Sequence, residues 1–242
     1  MNEILQSLHS RKSVRVYEER PVEPEKKRAI LEAALQAPTA GNMTLYSVID
    51  VTDPQLKETL AITCDHQPFI AQAPLVLIFC ADYSRWFQVF QATNPETRRP
   101  SYGDFLLACC DALIAAQNAV VAAEALGLGS CYIGDILERY EEHKALLGLP
   151  KYVAPVTMLC VGYPTEQQRR RAKPPRFRVE DIVHANRYQS RDMAAMVAAR
   201  QGLEGAELER WLDAFRRRKW EADFSVEMSR SVRAMLADWT SP

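Results

Sequence analysis

The sequence has almost no net charge: 30 Lys and Arg stand against 31 Asp and Glu, a formal charge of −1. No global basic field draws the chain to nucleic acid or to an anionic membrane, so any anion binding has to be local. Histidine is scarce, with 4 scattered along the chain, and the 6 cysteines form no CxxC pair, so a structural zinc site is not expected. Cys64, Cys80, Cys109, Cys110, Cys131 and Cys160 mostly sit in apolar runs such as LIFCAD and MLCVG, and read as small buried hydrophobes. No unbroken run reaches the ~18 apolar residues of a membrane span, and MNEILQSLHSRK has no apolar core followed by a small-residue cleavage site. The expected location is the cytoplasm.

The familiar signatures of protein-borne chemistry are missing as well. There is no G-x-S-x-G elbow, no Walker sequence and no His-Glu zinc helix. A G-x-G does occur, in LGLGSC at 126–131, but a dinucleotide fingerprint needs a strand before its glycines and a helix after them. Here a helical pattern precedes and a strand pattern follows, which reads as a glycine-terminated helix. An enzyme built on this chain has to take its reactivity from a cofactor.

What is present is enough apolar sequence, 48% of 242 residues, for a sizeable core. A short helix is predicted over 2–9 and a longer one near 24–37, where Pro24 suits a first turn. APTAGNMT at 37–44 is a loop by its Pro, Gly and Asn. Strands are predicted at 47–51, 75–81, after Gly129 and at 153–162, and helices at 53–62 and 138–147, with Asp53 as cap and Pro54 at the first position of the former. The segment 104–126 lacks Gly and Pro and is apolar on nearly all sides, as expected of a helix that is central or packed in a subunit interface. Strands separated by helices imply an α/β or α+β layered fold. Beyond Gly162 the chain turns polar and basic and reads as an extended loop. Residues 190–239 then carry helical stripes, Leu208, Trp211, Leu212 and Phe215 on one and Met228, Val232, Met235 and Trp239 on another.

Two basic segments, RKSVR at 11–15 and KPPRFR at 173–178, place cations beside residues that stiffen a loop. Arginine forks and a serine hydroxyl together can saturate the oxygens of a phosphate. The pair suggests a phosphate clamp built from both ends of the chain. The run Arg169, Arg170 and Arg171 reads as a solvated charge cluster, or as a contact for the extra phosphate of NADPH.

RKSVRVYEERPV, APTAGNMTLYSVIDV, AQNAVVAAEALGLGSCYIGD and the downstream VGYPT, KPPRFR and VHANRYQ together resemble the FMN-dependent nitroreductase family, within it the oxygen-insensitive NADPH nitroreductase and flavin reductase group. The resemblance implies an α+β fold, a three-layer sandwich with a central mixed antiparallel sheet, in an intertwined homodimer that holds FMN at the subunit interface. It implies an FMN-binding domain over 1–189 and a helical extension over 190–242 that packs on the body or the partner subunit. By the same resemblance Arg11, Lys12, Ser13 and Arg15 contact the FMN phosphate and ribityl chain, with Lys173 and Arg176 completing the phosphate site. Thr39, Gly41, Asn42 and Thr44 lie at the cofactor, Gln67 hydrogen-bonds the isoalloxazine, and the backbone of Gly134 and Asp135 faces flavin N5 and O4. The implied reaction is ping-pong: NADPH, or NADH, delivers hydride to the flavin, and a nitroaromatic, quinone or free flavin takes the electrons. No protein residue is expected to act as acid or base in the hydride transfer. A member of the same fold with dehalogenating or flavin-degrading chemistry, and a non-enzymatic flavin-binding protein, are the alternatives.

Overall fold

The computed structural model describes residues 2–241. Two compact units emerge: residues 2–171 together with 227–241, and residues 172–226. In chain order the first unit contains α1 (Glu3–Ser10), α2 (Pro24–Leu35), β1 (Tyr46–Asp50), α3 (Pro54–Thr63), α4 (Phe69–Gln72), β2 (Leu75–Asp82), α5 (Ser84–Thr93), α6 (Tyr102–Ala125), β3 (Gly129–Ile133), α7 (Tyr140–Leu146), β4 (Val153–Gly162) and α8 (Glu166–Arg170). The second contains α9 (Val179–Ile182), α10 (Met193–Gln201) and α11 (Gly205–Lys219), and α12 (Asp223–Thr240) begins in it and ends in the first.

The strands form one sheet in the order β1-β2-β4-β3, and every ladder in it is antiparallel. The mixed character expected of the sheet is confined to an isolated parallel bridge between Ser13 and Ser130. Both faces of the sheet are covered, which is why β2 and β4 are apolar without alternation and buried along their whole length. Leu75, Leu77, Phe79 and Ala81 of β2 face one core with the alanines of α6, while Val76, Ile78 and Cys80 face another with Leu60 and Cys64 of the α3 region. Period-two geometry thus splits a single strand between two layers of core.

α6 is the central element. It carries Ala108, Ala112, Ala115, Ala116, Ala119 and Ala123 into the core, and these small residues let its backbone lie close to the sheet and to α2. Asp104, Asp111, Gln117, Asn118 and Glu124 interrupt its sequence, so no unbroken apolar run exists. Even so, over 24 residues with a mean hydropathy of 1.8 in its most apolar window, it has the length and composition of a bilayer span. The structure uses it as a core helix on one side. On the other side Leu106, Leu107, Leu113 and Ile114 are 41–65% exposed.

Local signals account for most boundaries. Asp53 caps α3 by accepting from Gln55 N, with Pro54 at the first position. Gly127, at φ 77°, ends the turn after α6, as expected of LGLGSC. α5 was not anticipated from the sequence, and neither were the single turns α8 and α9 inside the expected extended loop. Both turns start from side-chain caps: Thr165 accepts from Gln168 N, and Asp181 accepts from Arg178 N at 2.9 Å. At the far end of the chain Met235 and Trp239 are buried, and Trp239 packs edge-on to Phe105 and Tyr152 at centroid distances of 4.9 and 5.7 Å. In the second unit Trp211 stacks on Phe215 at 4.9 Å, and the Arg200 guanidinium lies 4.1 Å from the centre of the Phe177 ring. The cysteines are all free; Cys64, Cys80, Cys131 and Cys160 are buried as expected, but Cys110, on the outward side of α6, is exposed.

Candidate functional site

After α1 the basic segment runs alongside β3. Val14 N donates to Ser130 O at 2.9 Å, and Tyr17 O–H donates to Val14 O at 2.8 Å. This approach depends on two glycines. A Cβ on Gly129 would lie 2.5 Å from Val14 Cγ2, and one on Gly162 would lie 2.8 Å from Tyr17 Cδ1 and 2.7 Å from Pro74. Only the missing side chains allow the cationic segment to dock against the strand ends.

The docked cations find different fates. Lys12 Nζ donates to the carbonyls of Arg169 (2.6 Å) and Arg171 (2.5 Å) at the end of α8, where an ammonium suits the exposed acceptors of a helix terminus. Arg171 returns a bond to Ser13 O, and Arg15 N lies 3.5 Å from Gln168 Oε1. Arg15 is exposed, with its guanidinium 5.9 Å from the centre of the Phe69 ring. Arg11 differs: its Nε and Nη2 are buried and find no hydrogen-bond partner among the described residues. Burial pushes the Cys131 thiol up, and the charges of Arg15 and Arg11 oppose that shift. The charge run 169–171 is largely neutralised in place, with Arg169 on Glu18 at 2.6 Å and Arg170 on Glu166 at 2.7 Å.

The loop over 37–45 is held from beneath by Asp111. This aspartate is 3% exposed in the middle of α6 and accepts from Thr39 Oγ1, from Ala40 N at 3.1 Å and from Leu45 N at 3.1 Å. Thr39 Oγ1 in turn accepts from Thr44 N at 2.7 Å, closing the loop on itself. Gly41, Asn42 and Thr44 adopt left-handed φ values of 56°, 58° and 51°, so the turn depends on these outside anchors. α5 supplies the others: Arg85 donates to the carbonyls of Thr44 and Tyr46, each at 2.8 Å, and Trp86 Nε1 donates to Met43 O at 2.6 Å. Sequence reasoning missed Asp111, Arg85 and Trp86. The one available signal was a lone carboxylate in an alanine-rich helix.

The third component joins Gln67 to Asp135. Gln67 Nε2 donates to Asp135 Oδ2 at 2.7 Å and to Cys64 O at 3.0 Å. Asp65 and His66 just before it hold φ values of 58° and 51°. Glu138, 5% exposed, donates its backbone N–H to Asp135 O at 3.0 Å and leaves its side-chain Oε1 unpartnered among the described residues. Burial first, and then the neighbouring Asp135 carboxylate, push the Glu138 carboxyl up to about 7. Gly134 is exposed, and neither its backbone angles nor any atom within 4 Å requires a glycine there.

The first unit thus brings together Gln67 and Asp135, Thr39 and Thr44, and the segment 11–15 with β3. Lys173 and Arg176 belong to the second unit, where Lys173 is half-buried and Arg176 is exposed with Nη1 3.5 Å from Pro174 O. The residues fit a flavin nucleotide in kind. Arg11 offers buried N–H donors that lack an acceptor, an expensive arrangement without an anion, and Gln67 has a carbonyl oxygen left to accept.

An antiparallel sheet with both faces covered defines an α+β protein, and its first unit carries both an arginine whose buried nitrogens seek an acceptor and a glutamine bonded to an aspartate turn. Residues 8–163 match the Nitroreductase family, and the chain belongs to it. It is 37% identical over 194 residues to the FMN reductase [NAD(P)H] of Bacillus subtilis strain 168, covering 79% of this chain and 77% of that protein. It is 34% identical over 192 residues to the oxygen-insensitive NADPH nitroreductase of Salmonella typhimurium, covering 79% and 77%. The solved structure of B. megaterium NfrA2 superposes with a TM-score of 0.80 at 30% identity, covering 99% of this chain and 98% of that one.

Proposed function

We infer that this chain is an FMN-dependent NAD(P)H oxidoreductase of the nitroreductase and flavin reductase type. The observation that carries the reading is the pair of buried, unpartnered guanidinium nitrogens of Arg11, on a segment that two glycines allow to dock against β3. The names of the relatives support it: one reduces FMN with NAD(P)H, and another is an NADPH nitroreductase.

FMN held there would supply the redox centre, a two-electron carrier between NAD(P)H and a nitroaromatic, quinone or free flavin. The protein's part is binding and polarity. Arg11, Ser13 and Arg15 hold the phosphate and ribityl portion, with Lys12 fixing the α8 carbonyls beside them. Thr39, Gly41, Asn42 and Thr44 border the ring on a loop stiffened by Asp111. Gln67 meets the ring's polar edge, and the backbone N–H groups of Gly134 and Asp135 stabilise negative charge that accumulates on reduction.

The protein works as a homodimer through the outward side of α6, where Leu106, Leu107, Leu113 and Ile114 form an exposed apolar stripe. The first unit forms the cofactor domain, with Met235 and Trp239 of α12 buried in it, and the protein's compartment is the cytoplasm.

The test is an absorbance spectrum of the natively purified protein before and after anaerobic NADPH and, separately, NADH. Flavin bands that bleach with reductant are the expected outcome. A protein that neither carries nor takes up FMN overturns the reading.

A further inference from the structure

The Gln67 side chain is fixed in orientation by its surroundings. Both groups it meets, the Asp135 carboxylate and the Cys64 carbonyl, can only accept, so the amide nitrogen has to face them and both its hydrogens are consumed. The remaining hydrogen-bonding capacity of Gln67 is the carbonyl oxygen, an acceptor. An oxidised isoalloxazine has several acceptors and a single ring N–H, at N3, so a glutamine locked this way matches that N–H and rejects the ring's acceptors.

The lock has its own support. Asp135 opens a turn of three residues, which the backbone N–H of buried Glu138 closes by donating to Asp135 O at 3.0 Å. Burial and the neighbouring Asp135 carboxylate both favour the protonated form of Glu138. The other charged or titratable groups facing Glu138 are Asp65 and Cys64 from the segment after α3, and Arg139, the single cation. Arg139 also lies 3.5 Å from Glu142, and its backbone N–H donates to Glu227 of α12. The buried His143 ring contacts Ile136 O at 3.1 Å and Thr63 Oγ1 at 2.8 Å. Two acidic side chains and a thiol against one shared arginine leave an ionised Glu138 poorly compensated.

We propose that Asp135 is a positioning residue for the flavin ring, locking Gln67 with its carbonyl oxygen as the free hydrogen-bonding atom, and that buried Glu138, on the same turn, leaves the lock undisturbed while it holds its proton. Loss of that proton sets two carboxylates against each other and loosens the lock, so the cofactor is held less tightly on the alkaline side. This rests on the FMN reading above. No redox step is involved, only the exchange of one proton between Glu138 and solvent.

The experiment measures FMN dissociation constants by quenching of flavin fluorescence, on the full chain, for the wild type, D135A, D135N and E138Q between pH 6 and 8. D135A should bind FMN about tenfold more weakly, as for one lost hydrogen bond to a charged acceptor, with a displaced flavin absorption maximum. D135N, whose side-chain oxygen still accepts from Gln67, should recover most of that affinity, which a space-filling role for Asp135 does not predict. E138Q should match the wild type at pH 6 and bind about fivefold more tightly at pH 8, since a neutral glutamine cannot ionise. Ionisation of the FMN phosphate affects both proteins equally and cancels in that ratio. Wild-type affinity in D135A, or a ratio of E138Q to wild type that does not change with pH, overturns the proposal while leaving the FMN reading standing. A wild type that binds no FMN overturns both.

Discussion

Asp111 and Thr39 meet across 72 positions of sequence, and their bond is the hub on which the loop bordering the candidate site turns. The aspartate sits where α6 is otherwise apolar, and its two oxygens satisfy the Thr39 hydroxyl and the backbone N–H groups of Ala40 and Leu45. A buried carboxylate is tolerated there because each of its neighbours is a donor.

Asp111→Ala leaves those donors buried and unpaired. It is expected to destabilise the fold by ~3 kcal/mol, read as a fall in the midpoint of urea unfolding at unchanged slope. Asp111→Asn keeps one carbonyl oxygen and should lose less. Equal stability of wild type and Asp111→Ala would refute the hub.

Arg11→Ala removes a guanidinium whose buried Nε and Nη2 have no partner among the described residues. FMN affinity is expected to fall by about 10–100-fold, the range for charge-assisted bonds to phosphate, while thermal stability of the cofactor-free protein stays constant or rises. Titrations with FMN and with riboflavin separate the causes. The variant should bind riboflavin as the wild type does, because riboflavin has no phosphate.

The Glu138 carboxyl is raised in the fold to about 7 from an ordinary 4.5, so the folded state holds a proton there that the unfolded chain releases earlier. Its contribution to stability is therefore complete below pH about 4.5 and is lost as pH climbs through about 7. Replacing it with neutral Gln removes this dependence. The cofactor-free E138Q variant should melt above the wild type at pH 8, with the gap closing towards pH 5. A gap that widens on acidification would contradict the assignment.

Leu113→Asp and Ile114→Asp place charge in the exposed apolar stripe of α6, where the native side chains are 45% and 41% exposed. Neither disturbs a buried contact of the described chain. The expected result in light scattering coupled to size exclusion is a dimer for the wild type and a monomer, or a strongly weakened dimer, for the double variant. A double variant that keeps the wild-type mass would remove α6 from the interface.

Much of the architecture was legible because it rests on local physics. Asp53 and Pro54 announced α3, Gly127 announced the end of α6, and the apolar runs at 75–81 and 153–162 announced strands buried on both faces. α5 escaped because SRWFQVFQAT has no side-chain cap, and its residues serve a loop distant in sequence through Arg85 and Trp86. The exposure of Cys110 escaped for a related reason: an apolar helix in sequence does not declare which side meets its own core.

The sequence by itself determined the family, the layered α+β class and the residue types of a cofactor site, because each depends on short patterns: a basic turn, a glycine-rich bend, strand and helix periods. Only the tertiary structure decided what those residues do. It spent Lys12 on helix-end carbonyls, left Arg11 Nε and Nη2 buried with no partner among the described residues, set Asp111 under Thr39, and turned Gln67 towards Asp135. Hydrogen-bond partners far apart in the chain depend on how the layers stack, and no local pattern encodes that stacking.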